Sequence, residues 1–293
     1  MNIKPSKRKL EHWIKEFVPD KDLFFLTEKD ISTIHDYLHG TLVMPKEEFL
    51  NHSTYKQIQL VNSYEYWKIS KKVQCIIVAN SDWFTDLPVE IKRILNHIQI
   101  QNNRGLILPL SFPNDCDVIS EENLVVKNEQ QYIVLQSNMW RTLPFPVKER
   151  IIESYAKGWE SWTCYNLPEQ APKHLQKYAN SFPTSSGSNC LAATLFAITE
   201  QEWIIHEWVH PQTFREGLTR SNYFPITTDK LIPGDVLTWI NEEEVIQHAS
   251  FYVGNDLFFN KNGQTFFNPW KVECWLDLNH EWGDFDMKVY RNK

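Results

Sequence analysis

The sequence predicts an α+β protein in two parts, residues 1–160 and 161–293, and three observations support that class. Helix-like and strand-like apolar patterns both occur in each part. In the second part an apolar helix comes first and a meander of short strands with tight turns follows, an order that suits α+β rather than alternating βαβ units. With 293 residues, 42% of them hydrophobic and 14% aromatic, the chain has ample core material. A chain of this size buries roughly three quarters of its unfolded surface without disulfide or metal staples.

Residues 9–18 carry apolar side chains at helical spacing, and Thr27 opens a capped amphipathic helix that runs to Leu38 and stops at Gly40. Residues 73–79 read as a buried strand, 88–101 as a helix started by proline, and 105–110 as another strand. Residues 124–136 read as a hairpin turning at Lys127-Asn128-Glu129. After Pro144 and Pro146 a helix spans about 147 to 160, and the Pro-containing stretch 166–172 reads as a linker, which sets the boundary near 160. The polar loop 184–189 delivers the chain into the apolar helix 190–198. Two short helices follow, with 200–210 expected to be amphipathic and to pack Trp203 and Trp208 inward. From Leu231 the pattern is a turn at Pro233-Gly234-Asp235, strand 236–240, a turn at 241–244, strand 245–253, a turn at 254–256 and strand 257–260.

Charge restricts the partners. Thirty Lys and Arg stand against 37 Asp and Glu, a net charge of −7, and residues 161–293 carry 10 against 16. That leaves no basic footprint for DNA, RNA or an anionic membrane surface. No apolar stretch approaches the roughly 18 residues of a membrane span. The basic opening runs into Glu11-His12-Trp13-Ile14-Lys15-Glu16 rather than a signal-peptide core, so a cytoplasmic address is expected. The five cysteines (75, 116, 164, 190, 274) are odd in number and form no CxxC pair, which argues against a disulfide framework and a zinc knuckle. Asp115 and Asp117 keep the Cys116 thiol protonated, and Cys274 reads as core. No cofactor is expected, and the sequence is silent on oligomeric state.

Cys190 stands where a loop becomes a helix, and there the free amide N–H groups and the helix dipole favour a thiolate and an oxyanion. His248 lies on a strand whose alternation puts it on one face with Ser250 and Tyr252, opposite Ala249, Phe251 and Val253. Asn260 ends the next strand, where its amide oxygen is placed to accept an imidazole N–H. A nucleophile, a base and a residue that fixes the tautomer of the base are the parts of a thiol hydrolase.

The order Asn189-Cys190 at a helix start, Pro233-Gly234-Asp235-Val236 opening a strand, His248-Ala-Ser-Phe-Tyr-Val-Gly254, then Asn260 twelve positions after the histidine resembles the NlpC family of papain-like cysteine peptidases, over residues 175 to 293. The resemblance implies a papain-like domain in which a Cys-bearing helix packs on an antiparallel sheet. It gives Cys190 the role of nucleophile, His248 that of base, Asn260 that of orienting His248, and Tyr178 and Asn189 places in the substrate cleft. The implied substrate is a small peptide or cell-wall fragment with D-amino acids or γ-glutamyl links. Asn189 stands where the family has Asp, and Leu191-Ala192 where it has Ser-Gly, in the segment that helps the family recognise a free amine. The altered segment is what a non-catalytic binding protein on the same scaffold would also show.

His206-Glu207-Trp208-Val209-His210 matches the HExxH pattern of zinc peptidases. Pro211 disfavours helix at His210 and no third ligand follows at a zincin spacing, so a zinc peptidase is the lesser alternative and no metal is assigned.

Overall fold

Capping residues and apolar runs decide where the elements begin in this computed structural model, which describes residues 1–110 and 118–293. The reading of Cys116 between Asp115 and Asp117 lies outside the described residues. The chain divides into two compact units, Leu10–Tyr155 and the pair of segments Met1–Lys9 and Ala156–Lys293.

Helix α1 (Lys7–Phe17) leads into the first unit and buries Leu10, Trp13, Ile14 and Phe17 on one stripe. Strand β1 (Lys21–Leu26) is buried at every position after the first, so it lacks the alternation by which a strand is recognised. Helix α2 (Glu28–Thr33) starts at a capping box between Thr27 and Asp30. It stops five residues before Leu38, because the Ser32 and Thr33 hydroxyls bond back to the carbonyls of Glu28 and Lys29 and the chain tightens into a 3₁₀ turn, His35–Tyr37. Strand β2 (Leu42–Pro45), helices α3 (Lys46–Asn51) and α4 (Ile58–Ser63), and strand β3 (Cys75–Asn80) follow. The antiparallel sheet β1-β3-β2 carries a core of Phe24, Leu26 and Ile77. After α5 (Ser81–Asp86), helix α6 (Val89–Gln101) adds Leu95 and Ile98 to that core. Strands β4 (Ile107–Pro109), β5 (Leu124–Lys127) and β6 (Gln130–Val134) form a second small sheet, ordered β4-β6-β5. Asn128 and Glu129 both take positive φ at its hairpin, as a two-residue type I′ turn requires. Helices α7 (Ser137–Thr142) and α8 (Phe145–Trp159) complete this stretch.

The second unit holds the candidate site. Its first residues pair with 162–164, through Cys164 N–H to Met1 O at 2.8 Å and Ile3 N–H to Trp162 O at 3.1 Å. Helices α9 (Cys190–Thr199) and α10 (Pro211–Arg220) precede strands β7 (Tyr223–Ile226), β8 (Val236–Ile240), β9 (Ile246–Gly254), β10 (Leu257–Asn260) and β11 (Lys271–Cys274). Helix α11 (Trp275–Trp282) and strand β12 (Asp286–Asn292) close the chain. The expected three-stranded meander is the centre of a six-stranded antiparallel sheet ordered β11-β10-β9-β8-β12-β7. One face carries Ala249, Phe251, Val253 and Phe259 against Leu191, Leu195 and Phe196 of α9. The other carries Leu237, Trp239, Tyr252 and Phe258 against Leu278, Trp275 and Trp282 of α11.

Two local expectations are corrected. Residues 200–210 do not form one helix: a 3₁₀ turn spans Glu202–His206, the chain is extended at Glu207 and His210, and Pro211 starts α10. Trp203 and Trp208 are exposed rather than packed inward, because without the helix they no longer share a face. Cys274 is only partly buried, and its thiol bonds the Asp277 carboxylate at 3.2 Å where β11 turns into α11.

Candidate active site

Asn189 is the N-cap of α9. Its amide oxygen accepts from Ala192 N–H at 3.0 Å and its Nδ2 donates to Val209 O at 2.8 Å, so both ends of the side chain are committed to starting the helix. Cys190 is therefore the first helical residue, and the backbone N–H groups of Ala249, Leu191 and Cys190 itself favour its thiolate. Burial pushes the thiol up to about 11, while those N–H groups and the charge on Lys261 pull the other way. At rest Cys190 is a neutral thiol. The helix dipole that was expected to yield a thiolate is outweighed by desolvation.

His248 follows a bulge, since Trp239 pairs with His248 while Ile240 pairs with Ile246, leaving Gln247 as the extra residue. Its ring stacks on Trp282 at 4.3 Å and 7° and leans on Trp239 at 5.4 Å, within the α11 face of the sheet. Burial pushes its pKa down to about 3, with the Lys271 ammonium adding to the effect. Nε2 lies 3.2 Å from Ser250 Oγ and 3.5 Å from Asn260 Nδ2. The N–H of the next residue, Ala249, favours the Cys190 thiolate, and Ala249 packs with Cys190 on the α9 face of the sheet. Among the described residues no hydrogen bond joins the thiol to the imidazole.

Strands β9 and β10 pair antiparallel, Phe259 opposite Phe251 and Phe258 opposite Tyr252, which brings Asn260 beside His248. The amide is turned the other way from the sequence expectation. Nδ2 donates to Glu273 Oε2 at 2.6 Å and faces His248, while Oδ1 is buried with no hydrogen-bond partner. Glu273 itself pairs with the Lys271 ammonium at 2.5 Å, and Lys271 pairs with Glu160 at 2.6 Å. These three charges line a pocket of about 570 Å³ that Tyr165, Asp277 and Glu281 also border.

Sequence reasoning missed Lys261 and Glu273. Lys261 is fully buried, donates to Gly263 O at 2.6 Å and Thr265 O at 2.9 Å, and has its pKa lowered by burial against the pull of Glu160 and Cys190. A lysine one residue past a strand reads as solvated, because lysine is almost never fully buried. Glu273 belongs to β11, and without that strand nothing placed it near Asn260.

The remaining candidates have structural partners. Tyr178 donates to Glu202 Oε1 at 2.6 Å and packs edge-on against Phe196, His206 and Trp270. Asp235, in the Gly-Asp pair before β8, is fully buried, accepts from Ile232 N–H at 2.9 Å and receives Arg291 Nε and Nη2 at 2.7 Å each. His206 packs on Tyr178 and Trp270 while His210 stacks on Trp208, so the two do not share a helical turn. Among the described residues no three His, Cys, Asp or Glu side chains are grouped to hold a metal ion, and no helix is long and apolar enough to cross a membrane.

No family model matches the chain, and no curated protein matches it. Among solved structures it is similar to a lipoprotein-like protein of the NLP/P60 family from Staphylococcus aureus, at 11% identity and a TM-score of 0.26. The overlap covers 69% of this chain and 61% of that one, and at this TM-score it establishes no shared fold.

Proposed function

We propose that the second unit is a papain-like, NlpC-type thiol hydrolase that cleaves an amide bond through an acyl-enzyme. The observation that carries the reading is the setting of Cys190: first residue of an apolar helix, buried, with the backbone N–H groups of Ala249, Leu191 and Cys190 favouring its thiolate. In the reaction Cys190 Sγ attacks the substrate carbonyl, and His248, whose ring stacks on Trp282 on the sheet face opposite α9, has to turn toward Cys190 to take the thiol proton. The Cys190 N–H receives the developing oxyanion, and His248 returns the proton to the leaving amine. Water then attacks the thioester and frees the thiol. Asn260 acts by orienting the imidazole. The resemblance in sequence points to a small peptide of the cell-wall type as substrate.

A second reading, a binding protein that keeps the scaffold without the chemistry, is favoured by the neutral thiol and neutral imidazole with no hydrogen bond between them. Turnover separates the two. On a panel of peptides with γ-glutamyl and D-residue amide bonds, the hydrolase releases amine and Cys190→Ala releases none. A protein that binds a panel member and releases nothing at any pH from 6 to 9 is the binding protein.

A further inference from the structure

We propose that Glu273 is a positioning residue for this site: by taking the Nδ2 end of Asn260, it presents that amide to His248 as a donor and holds the imidazole in its Nδ1–H tautomer. The inference goes beyond the hydrolase reading and gives the site a resting state, but the tautomer itself stands whether or not the protein turns over amides.

The two ends of a carboxamide differ in what they hydrogen-bond, and a carboxylate accepts only. Glu273 is held as an acceptor from three directions: Lys271 Nζ at 2.5 Å from Oε1, Asn262 Nδ2 at 3.2 Å from Oε2, and Asn260 at 2.6 Å from Oε2. The Asn260 atom against it must therefore be the NH₂ group. That same nitrogen is the one 3.5 Å from His248 Nε2, and an NH₂ group cannot accept a proton from it. Ser250 Oγ, 3.2 Å from Nε2, has a hydroxyl free to rotate that donates or accepts as the tautomer requires, so the choice falls to the Asn260 amide. With Nε2 accepting, the single proton of a neutral imidazole sits on Nδ1. The orphaned Asn260 Oδ1, buried without a partner, is the mark of an amide held in this orientation by the Glu273 contact against its own acceptor's interest.

The consequence for the proposed chemistry is specific. An Nδ1–H imidazole is basic only at Nε2, the nitrogen that Ser250 and Asn260 face, so the amide of Asn260 must turn over before Nδ1 can serve as the base. Glu273, on the strand beside that of Asn260 and two strands from that of His248, decides which way the amide faces.

The test is a two-bond ¹H–¹⁵N correlation spectrum of the histidine side chains in the full ¹⁵N-labelled chain at pH 7, with His248 assigned by its loss in His248→Gln. In the wild-type protein Nε2 should carry the shift of an unprotonated nitrogen and Nδ1 that of a protonated one. In Glu273→Gln the new carboxamide offers Asn260 either an acceptor or a donor, the lock is released, and the Nε2–H tautomer should appear. A wild-type spectrum showing Nε2–H overturns the proposal outright and needs no variant. A folded Glu273→Gln protein with an unchanged Nδ1–H signature removes Glu273 from the role. Failure of the hydrolase reading would show as absent turnover and would leave both tautomer outcomes intact.

Discussion

The burial of His248 has a thermodynamic consequence that is measurable without any substrate. Its pKa falls from 6.5 to about 3 on folding, because the ring is buried against Trp282 and Trp239 and faces the Lys271 charge. A base whose native pKa lies below its unfolded value binds its proton more readily when unfolded, so its contribution to stability is intact above 6.5 and is lost as pH falls toward 3. Between pH 7 and pH 5 the unfolded histidine becomes almost fully protonated while the native one stays neutral, which removes about 2 kcal/mol. Asp22 and Glu160, whose pKa values burial raises, work in the opposite sense, gaining stability as pH falls. They are present in both proteins when wild type is compared with His248→Gln. Urea unfolding followed by tryptophan fluorescence at pH 7 and pH 5 gives the required double difference: wild type should lose about 2 kcal/mol more than His248→Gln over that interval. Equal losses in the two proteins would refute the argument that His248 is held neutral by its surroundings.

Trp282→Ala removes one wall of the stack, and the His248 pKa should rise from about 3 toward 6.5, read by NMR titration. Asn189→Ala removes both the cap acceptor for Ala192 and the donor to Val209 and should cost about 2 kcal/mol, whereas Asn189→Asp keeps the cap and should lose about half as much. Arg291→Met strands the buried Asp235 carboxylate and should lower Tm further than Arg291→Lys, which keeps a charge but not the paired contacts.

The parts of this molecule that could be read from sequence are those whose signal is local. Capping at Thr27, the turn at Asn128-Glu129 and the tight hairpin after Gly254 are written in single residues, and β8, β9 and β10 lie within one residue of their expected bounds. Strands β1 and β11 are nearly all buried and show no alternation, and β12 pairs across the chain with β8, a long-range pairing that no local pattern announces. The same divide runs through the candidate site. Cys190 at a helix start and Asn260 twelve residues after His248 are visible as spacing. The direction of the Asn260 amide is not, because it depends on Glu273, and Glu273 depends on a strand that sequence reasoning did not find. The Gly-Asp pair before β8, read from sequence as part of the resemblance, has a structural role here in the anchorage of Arg291.

If Cys190 is a nucleophile, its acyl-enzyme can be caught. The full chain is mixed with a peptide amide, quenched in acid within the first turnover, and analysed by intact mass and by mapping of the peptide that contains Cys190. A thioester adduct of the acyl half of the substrate should accumulate on Cys190 in wild type and be absent from Cys190→Ala together with all amine release. Amine release that continues in Cys190→Ala, or an adduct carried by another residue, would contradict that role for Cys190.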